Sequence, residues 1–240
     1  MEEIGRNIIR LESVDSTNNY TANRVRANDL RHGAVILAVE QTGGRGQMGA
    51  SWQSDSGMNL TFSVFLDNVN LSPDRQFFLT KIVSLSIVDF LARYGVEAKV
   101  KWPNDIYVGN LKIAGVLIEN FLMGQNVNKS ILGIGLNVNQ KVFSGLNATS
   151  LKLETGTHYS IDELLFSFIG QFNEYLNSKD DQDIHDQYLR KLYRYEEQHQ
   201  YEDANGTFVG TISGIDSLGK LIVEREGFAS TYSLKEIKFL

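Results

Sequence analysis

The stretch Gln41–Trp52, Gln-Thr-Gly-Gly-Arg-Gly-Gln-Met-Gly-Ala-Ser-Trp, lies between two strand-like apolar runs, Ala34–Val39 and Asn59–Leu66. Four glycines in these twelve residues oppose both helix and packed strand, so the segment reads as a loop joining two strands. Gly44, Gly46 and Gly49 spell G-x-G-x-x-G, the fingerprint of dinucleotide-binding sheets. That fingerprint needs a helix to open inside the loop within a βαβ unit. Here the chain passes Trp52, Ser54, Asp55 and Gly57 and enters another strand, so the Rossmann reading fails. The sequence contains no Gly-Lys-Ser/Thr, which excludes a Walker A loop as well.

What remains is the chemistry of the loop. Glycines let backbone N–H groups approach a ligand closely. Arg45 among such groups makes a site for phosphate or carboxylate, and Trp52 offers a flat face to a ring. A second cluster, Lys101-Trp102-Pro103-Asn104-Asp105, is followed by Lys112. Pro103 and Asn104-Asp105 alone mark only a strand-end turn. Lysines on both sides of a tight hairpin can face one pocket, and an anionic ligand carrying a ring, such as a nucleotide, suits the set.

The surrounding pattern gives an α+β layout. Ile8–Glu12 reads as a strand, and Asp15-Ser16-Thr17-Asn18 supplies N-cap candidates for a polar helix that Gly33 would end. Ser72 and Pro73 open the clearest helix, with Phe78, Ile82, Leu85, Val88 and Phe90 along it and Gly95 as its stop. Ala98–Lys101, Ile106–Val108, Leu111–Glu119 and Ser130–Val138 read as strands, the middle two joined by Gly109-Asn110. Ser160-Ile161-Asp162-Glu163 is a capping box ahead of a helix with core face Leu164, Leu165, Phe168, Ile169, Phe172 and Leu176. Another helix is expected over about Ile184–Tyr195. From about Gln200 the chain turns to short strand runs, among them Phe208–Ile212 and Lys220–Glu224, punctuated by glycines. This suits a small β-barrel, too short to hold together without packing on the main domain. The division expected is residues 1–197 and 198–240.

At 240 residues there is enough chain for one sizeable core plus such a module. Cysteine is absent, so disulfides, thiolate nucleophiles and cysteine-bound metals are excluded. His32, His158, His185 and His199 show no metal spacing, and no metal site is expected. The net charge of −6, with acids spread along the chain, argues against nucleic acid as a partner, and Arg24, Arg26 and Arg31 read as a solvated helix face. The start lacks the features of a signal peptide and no window reaches a membrane span, so no membrane partner and a cytoplasmic location are expected.

Taken together, the motifs resemble the catalytic domain of biotin protein ligases. The matching pieces stand in the family's order: Asp15-Ser16-Thr17-Asn18, Gln41, Gly44-Arg45-Gly46-Gln47-Met48-Gly49, Trp52, Lys101–Asp105, Leu111-Lys112-Ile113-Ala114-Gly115 and Gly133-Ile134-Gly135-Leu136-Asn137. The resemblance implies a mixed β-sheet flanked by helices, of the class II synthetase and biotin ligase type, followed by a small SH3-like barrel. It also implies a two-step reaction. Biotin and ATP, with Mg²⁺ on the phosphates, form biotinyl-adenylate and pyrophosphate; the adenylate then acylates a lysine of a biotin carboxyl carrier domain. It leaves a homodimer open.

By the same resemblance, Ser16, Thr17, Asn18, Gln41, Arg45, Gly46, Gln47, Lys112 and Gly115 are expected to bind biotin. Gly44, Arg45, Gly46, Trp52, Lys101, Asn104 and Asn137 are expected around ATP or the adenylate, with Trp52 under adenine and Asn137 near the adenosine. Lys112 and Arg45 are the expected catalytic cations, and Asp105 a base or orienting group for the acceptor amine, though an aspartate beside two lysines is a poor base. The glycine loop is expected to close over the adenylate and to be protected from proteolysis by biotin plus ATP. Two departures stand out. Many members of the family carry arginine where this chain has Gln47, which implies weaker retention of the adenylate. The catalytic domain begins near residue 8, so ligase activity without operator binding is expected. The nearest rival, a lipoate ligase or octanoyl transferase of the same fold, is disfavoured by Trp52 and Lys101–Asp105, and a binding protein without chemistry is disfavoured by Arg45 and Lys112.

Overall fold

The computed structural model describes residues 3–177 and 180–240. Along the chain come β1 (Ile8–Val14), α1 (Thr17–Arg26), β2 (Val35–Gln41), β3 (Leu60–Leu66), α2 (Phe77–Ala92), β4 (Lys99–Lys101), β5 (Asp105–Val108), β6 (Leu111–Met123) and β7 (Asn126–Leu136). Then follow α3 (Leu151–Thr155), α4 (Ile161–Asn177) and α5 (Asp181–Arg190). The seven strands form one mixed sheet in the order β1-β2-β3-β7-β6-β5-β4, with β1 and β2 parallel and the other pairs antiparallel.

Period-two alternation gives this sheet two unlike faces. Leu60, Phe62, Val64 and Leu66 of β3, Ala114 and Val116 of β6, and Leu132, Ile134 and Leu136 of β7 join the main apolar core with α2 and α4. The alternate residues on the other face are, apart from Leu117, small or polar: Thr61 and Ser63, Gly115 and Glu119, Gly133 and Gly135. Only its far end is apolar, where Phe65 and Ile131 pack under Ala22 and Val25 of α1. The register aligns Lys101, Asp105, Gly115, Gly135 and Thr61 as one row across β4, β5, β6, β7 and β3. The cleft described below lies over this row.

Helix boundaries differ from the sequence pattern in three places. α1 ends at Arg26, well short of Gly33, because Ala27 and Asn28 close its last turn through Asn23 O and Val25 O. Pro73 opens only a 3₁₀ turn, Pro73–Arg75, and α2 begins at Phe77. α2 is buried around most of its girth, between β4–β6 on one side and α4 and α5 on the other. α5 stops at Arg190 because residues 191–193 leave the helix to cover the edge of β4: Val100 N donates to Lys191 O and Tyr193 N to Val100 O, both at 2.8 Å. At α4 one bond of the expected capping box is made, with Ser160 Oγ accepting from Glu163 N at 3.4 Å.

The C-terminal strands β8 (Gln198–Asp203), β9 (Gly206–Ile215), β10 (Leu221–Arg225), β11 (Phe228–Tyr232) and β12 (Lys238–Phe239) form an antiparallel sheet in the order β11-β10-β9-β8-β12. The expected barrel does not close among the described residues. β12 has two paired positions, both with β8, and makes no ladder to β11. The module packs on the main domain as its length requires. Tyr201, Phe208, Ile212, Leu221 and Val223 belong to the same core cluster as the main sheet, and Trp102 Nε1 donates to Gly219 O at 2.8 Å.

Candidate active site

A cleft of about 290 Å³ opens on the small-residue face of the main sheet. The start of α1 and Gln41 form one end, and Lys101–Asp105 and Lys112 the other. Residues 45–52 form one wall, and Leu234 and Lys235 reach in from the C-terminal module.

The polar end is built from buried side chains that orient one another. Gln41 Oε1 accepts from Thr17 N at 2.8 Å and from Thr17 Oγ1 at 3.1 Å. Ser63 Oγ lies 2.8 Å from Thr17 Oγ1 and 2.6 Å from Asn18 Oδ1. Asn18 Nδ2 donates to Glu119 Oε2 at 2.8 Å and to Leu117 O at 3.2 Å. Ser16 caps α1 without a side-chain bond to it and is buried at the rim. Gly133 must be a glycine, because a methyl there would overlap the Asn18 amide.

The charged end depends on an irregularity in β6. The register between β5 and β6 shifts so that Tyr107 pairs with Lys112 while Ile106 pairs with Ala114. The extra residue, Ile113, stays in the core, and the strand's phase changes around it. Lys112 is thereby brought to the cleft beside Gly115, and Lys112 Nζ lies 2.6 Å from Asp105 Oδ1. Across the cleft, Arg45 Nη2 lies 3.1 Å from Glu119 Oε1, and Arg45 Nη1 donates to Asn19 Oδ1 at 2.6 Å. Lys101 Nζ donates to Tyr107 Oη at 3.3 Å and sits over the Tyr107 ring. Burial draws the Lys101 pKa below its usual value, opposed in part by the Asp105 charge.

Trp52 lies flat on this floor. Its ring meets the positions a Cβ would take on Gly115 and Gly135, and Lys112 Nζ is 5.7 Å from the ring centre. Trp52 Nε1 and Gln47 Oε1 are both buried at the cleft and make no hydrogen bond among the described residues. A donor and an acceptor left in this state are groups a polar ligand can satisfy.

Most of the residues expected from the sequence meet here: Ser16, Thr17, Asn18, Gln41, Arg45, Gly46, Gln47, Trp52, Lys101, Asn104, Asp105, Lys112 and Gly115 all line the cleft. Two do not. Gly44 lies behind the wall, where Trp52 N donates to its carbonyl at 2.9 Å, and a methyl on it would overlap the Trp52 carbonyl. Asn137, expected near an adenosine, is buried behind the sheet end. Its Nδ2 donates to Thr149 O at 3.0 Å and Lys112 O at 3.4 Å, so it braces the Lys112 strand instead. Asn104 lines the cleft but commits its amide to Val116 O. Ser63 and Glu119, which bond the lining residues Asn18 and Arg45, and the lining residues Gly133, Gly135 and Lys235 were not expected as site residues. The first four follow from strand alternation once the register is known; nothing in the sequence places Lys235 there.

Comparison with known proteins decides what this cleft belongs to. The model of the biotin/lipoate A/B protein ligase family matches residues 11–137, more than half of the chain. The chain belongs to this family. Within it, the chain is 29% identical to the bifunctional ligase/repressor BirA of Bacillus subtilis over 246 residues, covering 97% of this chain and 74% of that one. It is 27% identical to the chloroplastic biotin–protein ligase 1 of Arabidopsis thaliana, covering 91% of this chain and 62% of that one. The biotin protein ligase of Aquifex aeolicus, solved in complex with biotin and ATP, superimposes with a TM-score of 0.77 at 28% identity, over 97% of this chain and 98% of that one. The family match spans the polar end, the glycine loop, both lysines and the glycine floor. Among the described residues no helix is long and apolar enough to cross a membrane, and no cluster of three or more histidine, aspartate or glutamate side chains is placed to hold a metal ion.

Proposed function

We propose that this protein is an ATP-dependent biotin protein ligase that forms biotinyl-adenylate and passes the biotinyl group to a lysine of a biotin carboxyl carrier domain. The observation that carries the reading is a single cleft with a buried polar cluster at one end, Lys101 and Lys112 at the other and Arg45 on the wall between them, over a floor of glycines. A ureido ring needs several hydrogen-bonding partners, and Ser16, Thr17, Asn18, Gln41 and Ser63 supply them.

In the first step a biotin carboxylate oxygen attacks the α-phosphorus of ATP, the bond to the bridging oxygen breaks and pyrophosphate leaves. Two anions meet, so fixed cations must offset the charge that develops. Lys112 is assigned to the reacting carboxylate and α-phosphate, and Arg45, with the loop N–H groups around Gly46, to the same charge from the other side. Asp105 and Glu119 are each engaged in an ion pair, so the Mg²⁺ that accompanies ATP would ride on the phosphates. Trp52 serves as the face for adenine, and Gln47, Lys101 and Asn104 border the nucleotide.

In the second step a neutral lysine amine of the carrier attacks the anhydride carbonyl, the bond from that carbon to the phosphate oxygen breaks, AMP leaves and the amine's proton passes to water. Asp105, held against Lys112, acts as an orienting group for that lysine. Residues 1–197 carry the chemistry, and 198–240 complete one wall through Leu234 and Lys235. A reaction that consumes ATP suits the cytoplasm. Pyrophosphate release tests the reading: it should require biotin, and lipoate in place of biotin should give none. Release with lipoate but not biotin would overturn it.

A further inference from the structure

Glu119 stands on the cleft face of β6 and joins the polar end of the site to the glycine-loop wall. Its Oε2 accepts from Asn18 Nδ2 at 2.8 Å and its Oε1 faces Arg45 Nη2 at 3.1 Å. The rest of the glycine loop is tied mainly to itself: Arg45 bridges Ser51, Gly46 N donates to Ala50 O, and Ala50 N to Gln47 O. Among the described residues, the hydrogen bonds and ion pairs linking residues 45–51 to the body of the protein come from the Arg45 side chain, to Glu119 and to Asn19. Asn19 is in turn held by Asp15, whose carboxylate accepts from Asn19 Nδ2 at 2.6 Å.

We infer that Glu119 is a positioning residue that acts through Arg45. It latches the glycine loop over the cleft before ligand arrives and fixes where the guanidinium meets the carboxylate of the ligand. A guanidinium has five N–H donors in a rigid fork, so one arm can stay with Glu119 while others engage an anion. Without Glu119 the loop keeps one tie to the body, Arg45 to Asn19, and segments so weakly anchored open locally at little cost. The part of this inference that concerns the ligand rests on the biotin ligase reading; the part that concerns the loop does not.

The test is limited trypsin digestion of the ligand-free protein. Arg45 is the sole tryptic site between Arg31 and Arg75, so cleavage there is read directly by mass. Glu119→Ala is expected to be cut after Arg45 about 5-fold faster than wild type, and Glu119→Asp, which keeps the charge, at an intermediate rate. The KM for biotin in pyrophosphate release is expected to rise about 10-fold in Glu119→Ala while kcat changes much less. Adding Glu119→Ala to Arg45→Met should leave the biotin KM where Arg45→Met alone puts it. Should Glu119→Ala fail to fold, the isosteric Glu119→Gln takes its place with the same expectations. Wild-type cleavage rates in a folded variant would overturn the latch, and a further rise in KM in the double variant would overturn action through Arg45. If the wild type releases no pyrophosphate with biotin, the ligase reading fails while the digestion result still judges the latch.

Discussion

Asp105 Oδ1 lies 2.6 Å from Lys112 Nζ, across a β-bulge that turns the lysine into the cleft. An aspartate engaged in this way fixes a cation, and its removal should damage both steps of the reaction. Lys112→Met is expected to lower biotin-dependent pyrophosphate release by about 100-fold or more, the scale for loss of one preorganised group facing developing charge. Asp105→Asn should lower it by about 10-fold through the misplaced lysine. Single-turnover assays of pyrophosphate release and of biotin transfer separate the roles. A variant with normal pyrophosphate release and slow transfer would show Asp105 to be a base for the acceptor.

Gly133 is where the sheet makes room for Asn18. A methyl there would overlap the Asn18 amide, so Gly133→Ala should push that amide off Ser63 and Glu119. The expected result is a rise of about 10-fold in the Kd for biotin by calorimetry, with a Tm lowered in step with the roughly 1–3 kcal/mol that unsatisfied buried polar groups cost. An unchanged Kd would mean that Asn18 does not contact the ligand.

Among the described residues, Gln47 leaves a neutral carbonyl oxygen without a hydrogen-bond partner at the cleft. Gln47→Arg is expected to slow dissociation of biotinyl-adenylate by about 10-fold, as one charge-assisted contact to a phosphate would do. Stopped-flow release of preformed adenylate measures it; an equal off-rate would show that another group already holds the phosphate.

Trp102 is the joint between the main sheet and the C-terminal module. Its buried indole donates to Gly219 O. Trp102→Phe keeps the ring packing and leaves that carbonyl without its donor, at a cost of about 1 kcal/mol. Urea unfolding followed by circular dichroism should register the loss, and identical midpoints would contradict it.

The legible parts of this protein were those with local signals. Gly109-Asn110 announced the β5–β6 hairpin, and the strand runs on either side of the glycine loop excluded a dinucleotide fold before any coordinates. The residues singled out for the site sit in short motifs, and thirteen of them line one cleft. The residues missed depend on long-range register. Glu119 faces the cleft only because β6 keeps its phase from Gly115 onward, and Lys112 only because a bulge changes that phase. Asn137 sits in a motif next to the site, but a motif does not give the direction of its amide, which donates to Thr149 O and Lys112 O. Lys235 reaches the cleft through the docking of a separate sheet, and whether that sheet closes into a barrel is set by how many residues β12 can pair.

The central claim is that one cleft both activates biotin and hands it on. Incubating the purified protein with radiolabelled biotin and a biotin carboxyl carrier domain tests it directly. Label should appear on the carrier when ATP is present and be absent without it. Label on the carrier without ATP, or none with ATP while biotin itself is bound, would contradict the account.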